Sequence, residues 1–319
     1  MMENAKLTIS PAPHLHGPAS IARDMYLVIL ALLFPTAGAV YFFGAYVILM
    51  LVTAIATALL TEYVAKWMRR RPFRMDGSAI VTAILFVLVM PPRTPLWIVI
   101  VGTVFCIGIA KEVFGGLGHN IFNPALAGRA FATVSFAGAL TNWIAPVHSF
   151  FADGVTTATP LSESFTTNLS RWAMYKALFI GNVAGSAGET SAMLILIGGI
   201  ILIAFGLIRW QVPVFYIGTV ALLSWIIGED PLYQILAGGL FLGAFFMATD
   251  YVTTPITTRG KILFAVGAGI LVTVIRRWGT MPEGVCYSIL LMNAVTPLID
   301  RHIRPRPFGL VKQKKGGAS

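Results

Sequence analysis

Ala45-Tyr46-Val47-Ile48-Leu49-Met50-Leu51-Val52-Thr53-Ala54-Ile55-Ala56-Thr57-Ala58-Leu59-Leu60-Thr61-Glu62-Tyr63-Val64-Ala65, followed at once by Lys66-Trp67-Met68-Arg69-Arg70-Arg71, decides the fold class. A helix needs about 20 mostly apolar residues to cross roughly 30 Å of hydrocarbon, and this run has that length. The basic cluster at its end reads as a topology signal and an anionic-lipid contact. The rest of the 319-residue chain has the same character: 57% of it is hydrophobic and only 11% charged, with a mean hydropathy of +0.80. Soluble domains carry about 25% charged residues, so the solvent for this chain is a bilayer. We therefore expect an all-α integral membrane protein.

The net charge of +10 does not point to nucleic acid. Its Lys and Arg lie in short loops beside apolar runs, and no nucleic-acid module is present. Cys106 and Cys286 are far apart and inside apolar segments, which makes neither a disulfide framework nor a metal motif and favours small buried hydrophobes. A cluster shared with a partner subunit stays open. The first twenty residues are polar, with Pro11, Pro13 and Pro18, so a flexible cytoplasmic lead is expected there rather than a cleavable signal peptide.

Apolar runs bounded by charge, Gly or Pro predict spans near 25–43, 45–65, 78–90, 95–110, a helix to about Ala139, then 190–208, 213–227, 232–248, 261–275 and 284–298. The organisation expected is a cytoplasmic segment 1–24, a first repeat 25–139, a polar loop 140–189, a second repeat 190–299 and a basic tail 300–319. That makes about ten transmembrane helices. An odd number of spans per half makes similar halves inverted copies, with short or broken helices near a midplane site. Asp76 precedes span three as Asp230 precedes span eight. The Lys and Arg bias puts both termini in the cytoplasm and the long loop outside.

Two polar stretches interrupt the apolar pattern. Gly115-Gly116-Leu117-Gly118-His119-Asn120-Ile121-Phe122-Asn123-Pro124 enters the fifth helix; its glycines allow close backbone approach, and Pro124 suits a first turn with free N–H groups. A tight helix crossing would use small residues too, but the asparagines favour a cofactor or ion path. Arg129, one turn further, needs a partner or a cavity. His119 reads as an ordinary hydrogen-bonding residue, and Asp76, Glu112 and Asp250 read as acids at span ends that snorkel to water. The second stretch is Asp153-Gly154-Val155-Thr156-Thr157-Ala158-Thr159-Pro160, which on spacing alone is a solvated loop. Ala248 to Thr258 repeats its Asp-x-x-Thr-Thr pattern on the opposite side. No glycine-rich nucleotide fingerprint or paired-Cys motif occurs.

Lys111 to Phe131 as a whole, with Asp250 to Thr258 and Pro282 to Asp300, resembles the signature of the RnfD/NqrB family over nearly the whole chain. The length and short N-terminus look more like RnfD. The resemblance implies an electron-transfer membrane subunit of an Rnf-type complex that couples ferredoxin/NAD⁺ redox chemistry to Na⁺ or H⁺ translocation. It implies FMN on a Thr of an outward-facing loop, joined by a phosphoester that a flavin transferase installs. The family motif falls on Asp153, Thr156, Thr157, Ala158 and Thr159, with Thr159 as acceptor and Thr156 or Thr157 as competitors. Such a loop should be exposed for a transferase to grip. A non-covalent riboflavin is implied in the helical bundle, and Gly116, Gly118, Asn120 and Asn123 are the neighbourhood that would take it or an ion. Partners would be the other Rnf subunits, the transferase and membrane lipid, in a bacterial or archaeal cytoplasmic membrane. The rival readings are an NqrB-like quinone-reducing role, a flavin-free secondary transporter or channel, and a structural anchor for partner subunits.

Overall fold

The structure, a computed structural model, describes residues 20–141, 143–146, 159–161, 170–279 and 284–304, and the elements among them are all helical. The first is α1 (Ile21–Phe43), which begins where the Ser20 side chain accepts the Arg23 N–H, four residues before the Met25 boundary expected from hydropathy. Gly44, at φ 81°, turns the chain into α2 (Tyr46–Met68). Next are α3 (Ser78–Leu88) and α4 (Leu96–Val104), which passes without a break into a π-helical stretch, Phe105–Val113. Then come α5 (Pro124–Ser135), α6 (Ala137–Leu140) and α7 (Arg171–Ile180). The second half holds α8 (Ala192–Ala204), α9 (Gln211–Ile227), α10 (Pro231–Leu236) and α11 (Leu240–Leu242), the last running into a second π-helical stretch, Gly243–Met247. Finally α12 (Thr258–Trp278) and α13 (Gly284–His302) complete the chain.

Among the described residues, four helices are long and apolar enough to cross a bilayer: Ile21–Phe43, Tyr46–Met68, Leu96–Val113 taken as one, and Thr258–Trp278. Three shorter apolar helices accompany them, Ser78–Leu88, Ala192–Ala204 and Gln211–Ile227. Large side chains such as Trp67, Trp172, Trp225 and Trp278 stand exposed, while Glu62, Lys111, Arg129 and Asn293 are buried. That distribution suits lipid outside and polar partners inside.

Three local expectations change. The run expected as one helix over 232–248 is broken: Ala237 is extended, Gly238 has φ 70°, and the helix resumes only at Leu240. A Cβ on Gly239 would lie 2.2 Å from Glu189 Oε1, so a carboxylate fills the space a side chain would need. The helix expected to reach Ala139 ends at Ser135, where Phe136 adopts φ −132° and ψ 38°. The interval 140–189, expected as loop, contains α7.

Packing pairs α1 with α8, α2 with α3 and α4, α9 with α10 and α12, α12 with α13, and α5 with α13. Small residues allow the closest crossings. A Cβ on Gly128 of α5 would meet Cys106 Sγ at 2.0 Å and Gly102 O at 3.1 Å. Cys286 Sγ lies 3.4 Å from Leu126 O, so both buried thiols pack against α5 as small hydrophobes. Overpacking costs about 1–3 kcal/mol. Gly128→Ala should therefore lower the thermal midpoint of the purified protein, and adding Cys106→Ala should recover most of the loss, as read by dye-based melting in detergent.

Candidate functional site

Chemistry-bearing residues gather at two places. The first surrounds the entry to α5. Asn123 caps that helix, its Oδ1 accepting the N–H groups of Ala125 (3.1 Å) and Leu126 (3.3 Å), and its Nδ2 donates to Met247 O at 3.3 Å. From α13, Asn293 Oδ1 accepts the Asn123 N–H at 3.1 Å while Asn293 Nδ2 donates to Thr253 O at 3.2 Å. Thr296 Oγ1 donates to the same carbonyl at 3.0 Å. The break before α5 and the irregular segment after Met247 are thereby tied to one helix.

A cavity of about 80 Å³ opens beside this junction, lined by Ser78, Lys111, Asn120, Asn123, Thr249 and Asp250 among others. Asn120 is buried, and its Oδ1 has no partner among the described residues. Of the residues expected here, Asn120 and Asn123 line the cavity. Gly116 and Gly118 instead shape the turn, at φ 93° and 95°; Gly116 lets Glu112 close in, since a Cβ there would sit 3.3 Å from Glu112 Oε1. His119 is exposed.

Glu112 does not snorkel as expected, while Asp76 and Asp250 are half-buried. Lys111, counted as a loop residue from sequence, is buried and donates to Glu62 Oε1 at 3.1 Å and Ser78 Oγ at 2.7 Å. Lys66 reaches the same Glu62 oxygen at 2.8 Å. Glu112 is buried, with Oε2 held by Arg69 at 3.2 Å. The cause is geometric: the π-helical stretch turns Lys111 and Glu112 inward toward α2. Burial alone would raise Asp76, but the Ser78 hydroxyl and N–H, with Lys111 and Lys66, hold its carboxyl below the ordinary value. Burial pushes Asp250 up, outweighing hydrogen bonds from Thr253 and the N–H groups of Val252 and Tyr251. Thr253 and Thr254 are buried; their hydroxyls are bound to Asp250 and to Ala248 O.

The second place surrounds Thr159. Asp153, Thr156, Thr157 and Ala158 lie outside the described residues. Thr159 itself is only 7% exposed, where an exposed position was expected. The reason is local: Tyr233 OH donates to Pro160 O, and Leu161 fits against the bare face of Gly238. Thr159 lines a cavity of about 20 Å³ with Pro160, Leu161, Glu189, Thr190 and Gly238, space for a water or two. An isoalloxazine ring carried by this residue would lie outside it.

Glu189 and Leu161 also line the adjoining cavity with Arg129, Arg276 and Cys286. Arg129 Nη1 donates to Ser186 Oγ at 3.3 Å and lies 3.9 Å from Glu189 Oε1, so it has both the partner and the cavity its position demanded. Arg276 donates to Gln234 O at 2.6 Å and Ala237 O at 3.0 Å, the carbonyls freed where α10 ends. The segment before α8 reaches inward to α3, with Ala187 N–H on Met90 O and Gly188 N–H on Leu88 O. Sequence reading missed Glu189 and Arg276. The one available signal was the run of small residues Ala184-Gly185-Ser186-Ala187-Gly188 before the acid, which permits such close approach.

Two substitutions check these assignments. Glu62→Gln leaves Lys111 buried without its counter-charge; breaking a buried pair costs about 3–5 kcal/mol, so a large drop in thermal midpoint is expected. Asp250→Asn removes a carboxyl whose ionisation the fold opposes. With its pKa raised above 3.8 in the folded chain, the penalty is absent below that value and complete above the raised one. The variant should therefore melt higher than wild type at neutral pH, and the gain should vanish in acid below the ordinary carboxylate range.

Residues 8–309 match the model of the NQR2, RnfD, RnfE family. The chain is 46% identical to the D subunit of the proton-translocating ferredoxin:NAD⁺ oxidoreductase complex of Clostridium ljungdahlii, covering 95% of this chain and 96% of that one. It is 42% identical to the D subunit of the Na⁺-translocating complex of Acetobacterium woodii, covering 98% and 99%. The D subunit of the ion-translocating oxidoreductase complex of Stutzerimonas stutzeri is 38% identical, covering 91% and 93%. With its long apolar helices, this multi-pass membrane protein belongs to the NQR2, RnfD, RnfE family.

Proposed function

We propose that this chain is the D subunit of an ion-translocating ferredoxin:NAD⁺ oxidoreductase, an electron-transfer membrane subunit that carries FMN on Thr159. Similarity to D subunits from end to end supports the complex and its class of reaction. The coupling ion is Na⁺ or H⁺, the two for which close relatives are named. Partners in this reading are the remaining subunits, a flavin transferase and lipid.

The observation that carries the cofactor assignment is the setting of Thr159. The motif's acceptor lines a small cavity with Glu189 and Gly238, and Arg129 and Arg276 line the adjoining one, which shares Leu161 and Glu189 with it; basic groups in that neighbourhood suit a phosphoester. Bound FMN supplies one-electron redox chemistry. The chain's own residues hold the attachment point: Tyr233 clamps Pro160, and Asp230 caps the start of α10 through Leu232 and Tyr233 N–H. A second, non-covalent flavin such as riboflavin belongs to this reading beside Asn120 and Asn123, where the orphaned Asn120 Oδ1 would accept from a ring imide N–H; the cavity of about 80 Å³ there is smaller than a flavin needs and would have to widen.

The architecture in this reading is ten membrane helices in two inverted halves. Matching partnerships support it, α2 with α3 and α4 in one half and α9 with α10 and α12 in the other. The Lys and Arg bias supports cytoplasmic termini and a Thr159 loop on the outer face of the cytoplasmic membrane.

The deciding test is flavin fluorescence of the chain on a denaturing gel after co-expression with a flavin transferase. A fluorescent wild type beside a dark Thr159→Ala variant is the expected outcome. A fluorescent Thr159→Ala would move the attachment to Thr156 or Thr157, and a dark wild type would reject covalent flavin.

A further inference from the structure

Thr159 is packed where a modifying enzyme has no access to it. The residue is buried and lines a cavity of about 20 Å³, which has room for a water or two and none for an incoming phosphoryl group. Esterification brings the Thr159 Oγ within bonding reach of phosphorus, so the hydroxyl has to leave this setting for as long as the transfer takes. The next two residues hold it there. Tyr233 OH donates to Pro160 O, and Leu161 covers the bare face of Gly238, where a Cβ would lie 2.7 Å from Leu161 Cδ1. Gly238 has φ 70° and lies in the gap between α10 and α11, so the break in that helix provides the seat for Leu161.

The clamp is anchored in helices rather than in the segment it holds. Tyr233 stands in the first turn of α10, which Asp230 caps by accepting the N–H groups of Leu232 at 3.0 Å and Tyr233 at 3.2 Å. The other Asp230 oxygen accepts the Tyr175 hydroxyl of α7. We infer that Tyr233 and Leu161 are positioning residues that hold Thr159 closed, and that flavin is attached only from the state in which this clamp has opened. The inference rests on reading Thr159 as the attachment residue. In the open state the Thr159 Oγ–P bond forms and the anhydride P–O bond of a flavin dinucleotide breaks. A nucleoside monophosphate leaves and the hydroxyl proton is released; no electrons change hands. Opening is a local event that breaks few contacts, one hydrogen bond and one seated side chain, and such segments open far more readily than the whole fold. Tyr233 lies 73 residues beyond Pro160 and outside the motif. Changing it therefore alters access to Thr159 without altering what a transferase reads around the acceptor.

The test starts from full-length chain expressed without a transferase, purified, and then supplied with transferase and a flavin dinucleotide. Flavin per chain is followed in time by in-gel fluorescence normalised to immunoblot. Tyr233→Phe leaves Pro160 O without its donor in the closed state, while the open state gives that carbonyl water. The variant should therefore take up flavin about two- to tenfold faster than wild type, the share of one net hydrogen bond. A second readout needs no flavin: Thr159→Cys is reacted with a polar maleimide, with wild type as background because Cys106 and Cys286 are buried. Labelling should be about tenfold or more slower in the folded chain than in denaturant, and adding Tyr233→Phe or Leu161→Ala should speed it in the folded chain. Thr159→Cys that labels as fast folded as unfolded would overturn the proposal, as would a Tyr233→Phe variant that leaves both uptake and labelling at their wild-type rates. Flavin absent from every chain while Thr159→Cys stays protected sinks instead the assignment of Thr159 on which the proposal rests, so the two failures are distinguishable.

Discussion

The carboxamide of Asn293 closes two gaps in the backbone at once. Its Oδ1 takes the Asn123 N–H at the break before α5, and its Nδ2 gives to Thr253 O in the irregular segment after the second π-helical stretch. In hydrocarbon an unsatisfied peptide group costs several kcal/mol, so irregular backbone survives at depth only where protein or trapped water completes its hydrogen bonds. Asn293 is buried and makes both bonds within protein. Two interruptions that would each be costly alone are held by one side chain on a continuous helix. The non-helical backbone this frees lines the cavity with Asn120 and Asp250.

The same constraint organises the other end of the bundle. Where α10 stops, Arg276 collects the carbonyls of Gln234 and Ala237, and the chain before α8 turns inward to bond the end of α3. Each device brings charge or polarity into the interior: Asn293 and Asn123 at one break, Arg276 with Glu189 and Arg129 at the other. Polar side chains needed to complete the backbone thus also become the chemistry of the two cavities.

Two helices connect these ends rigidly. On α5, Asn123 at the first cavity and Arg129 at the second are six residues apart, about 9 Å along the axis at 1.5 Å per residue. On α12, Lys261 borders the vestibule that adjoins Asp250, and Arg276 lies some 22 Å further along by the same rise. A shift of either helix along its axis would be felt in both cavities.

Much was legible in the chain itself. The 21-residue run ending at Ala65, the scarcity of charge and the basic clusters impose a helical bundle in lipid, because only helices of that length satisfy their own backbone there. The asparagines after Gly118 announced a polar break, since such residues have no use on a lipid-facing helix, and Arg129 announced a buried partner. What the sequence could not convey was which partner, because Glu189 lies 60 residues beyond Arg129 and Asn293 lies 170 beyond Asn123, and pairing over such spans depends on packing. The π-helical turns at Lys111 and Glu112 were likewise invisible, as a one-residue change of register leaves no mark in hydropathy; it decides whether an acid meets water or a buried base. Composition and periodicity thus determined the solvent, the long helices and the polar break before α5. Only the tertiary structure decided which charges face one another, because that depends on contacts between residues that the sequence keeps far apart.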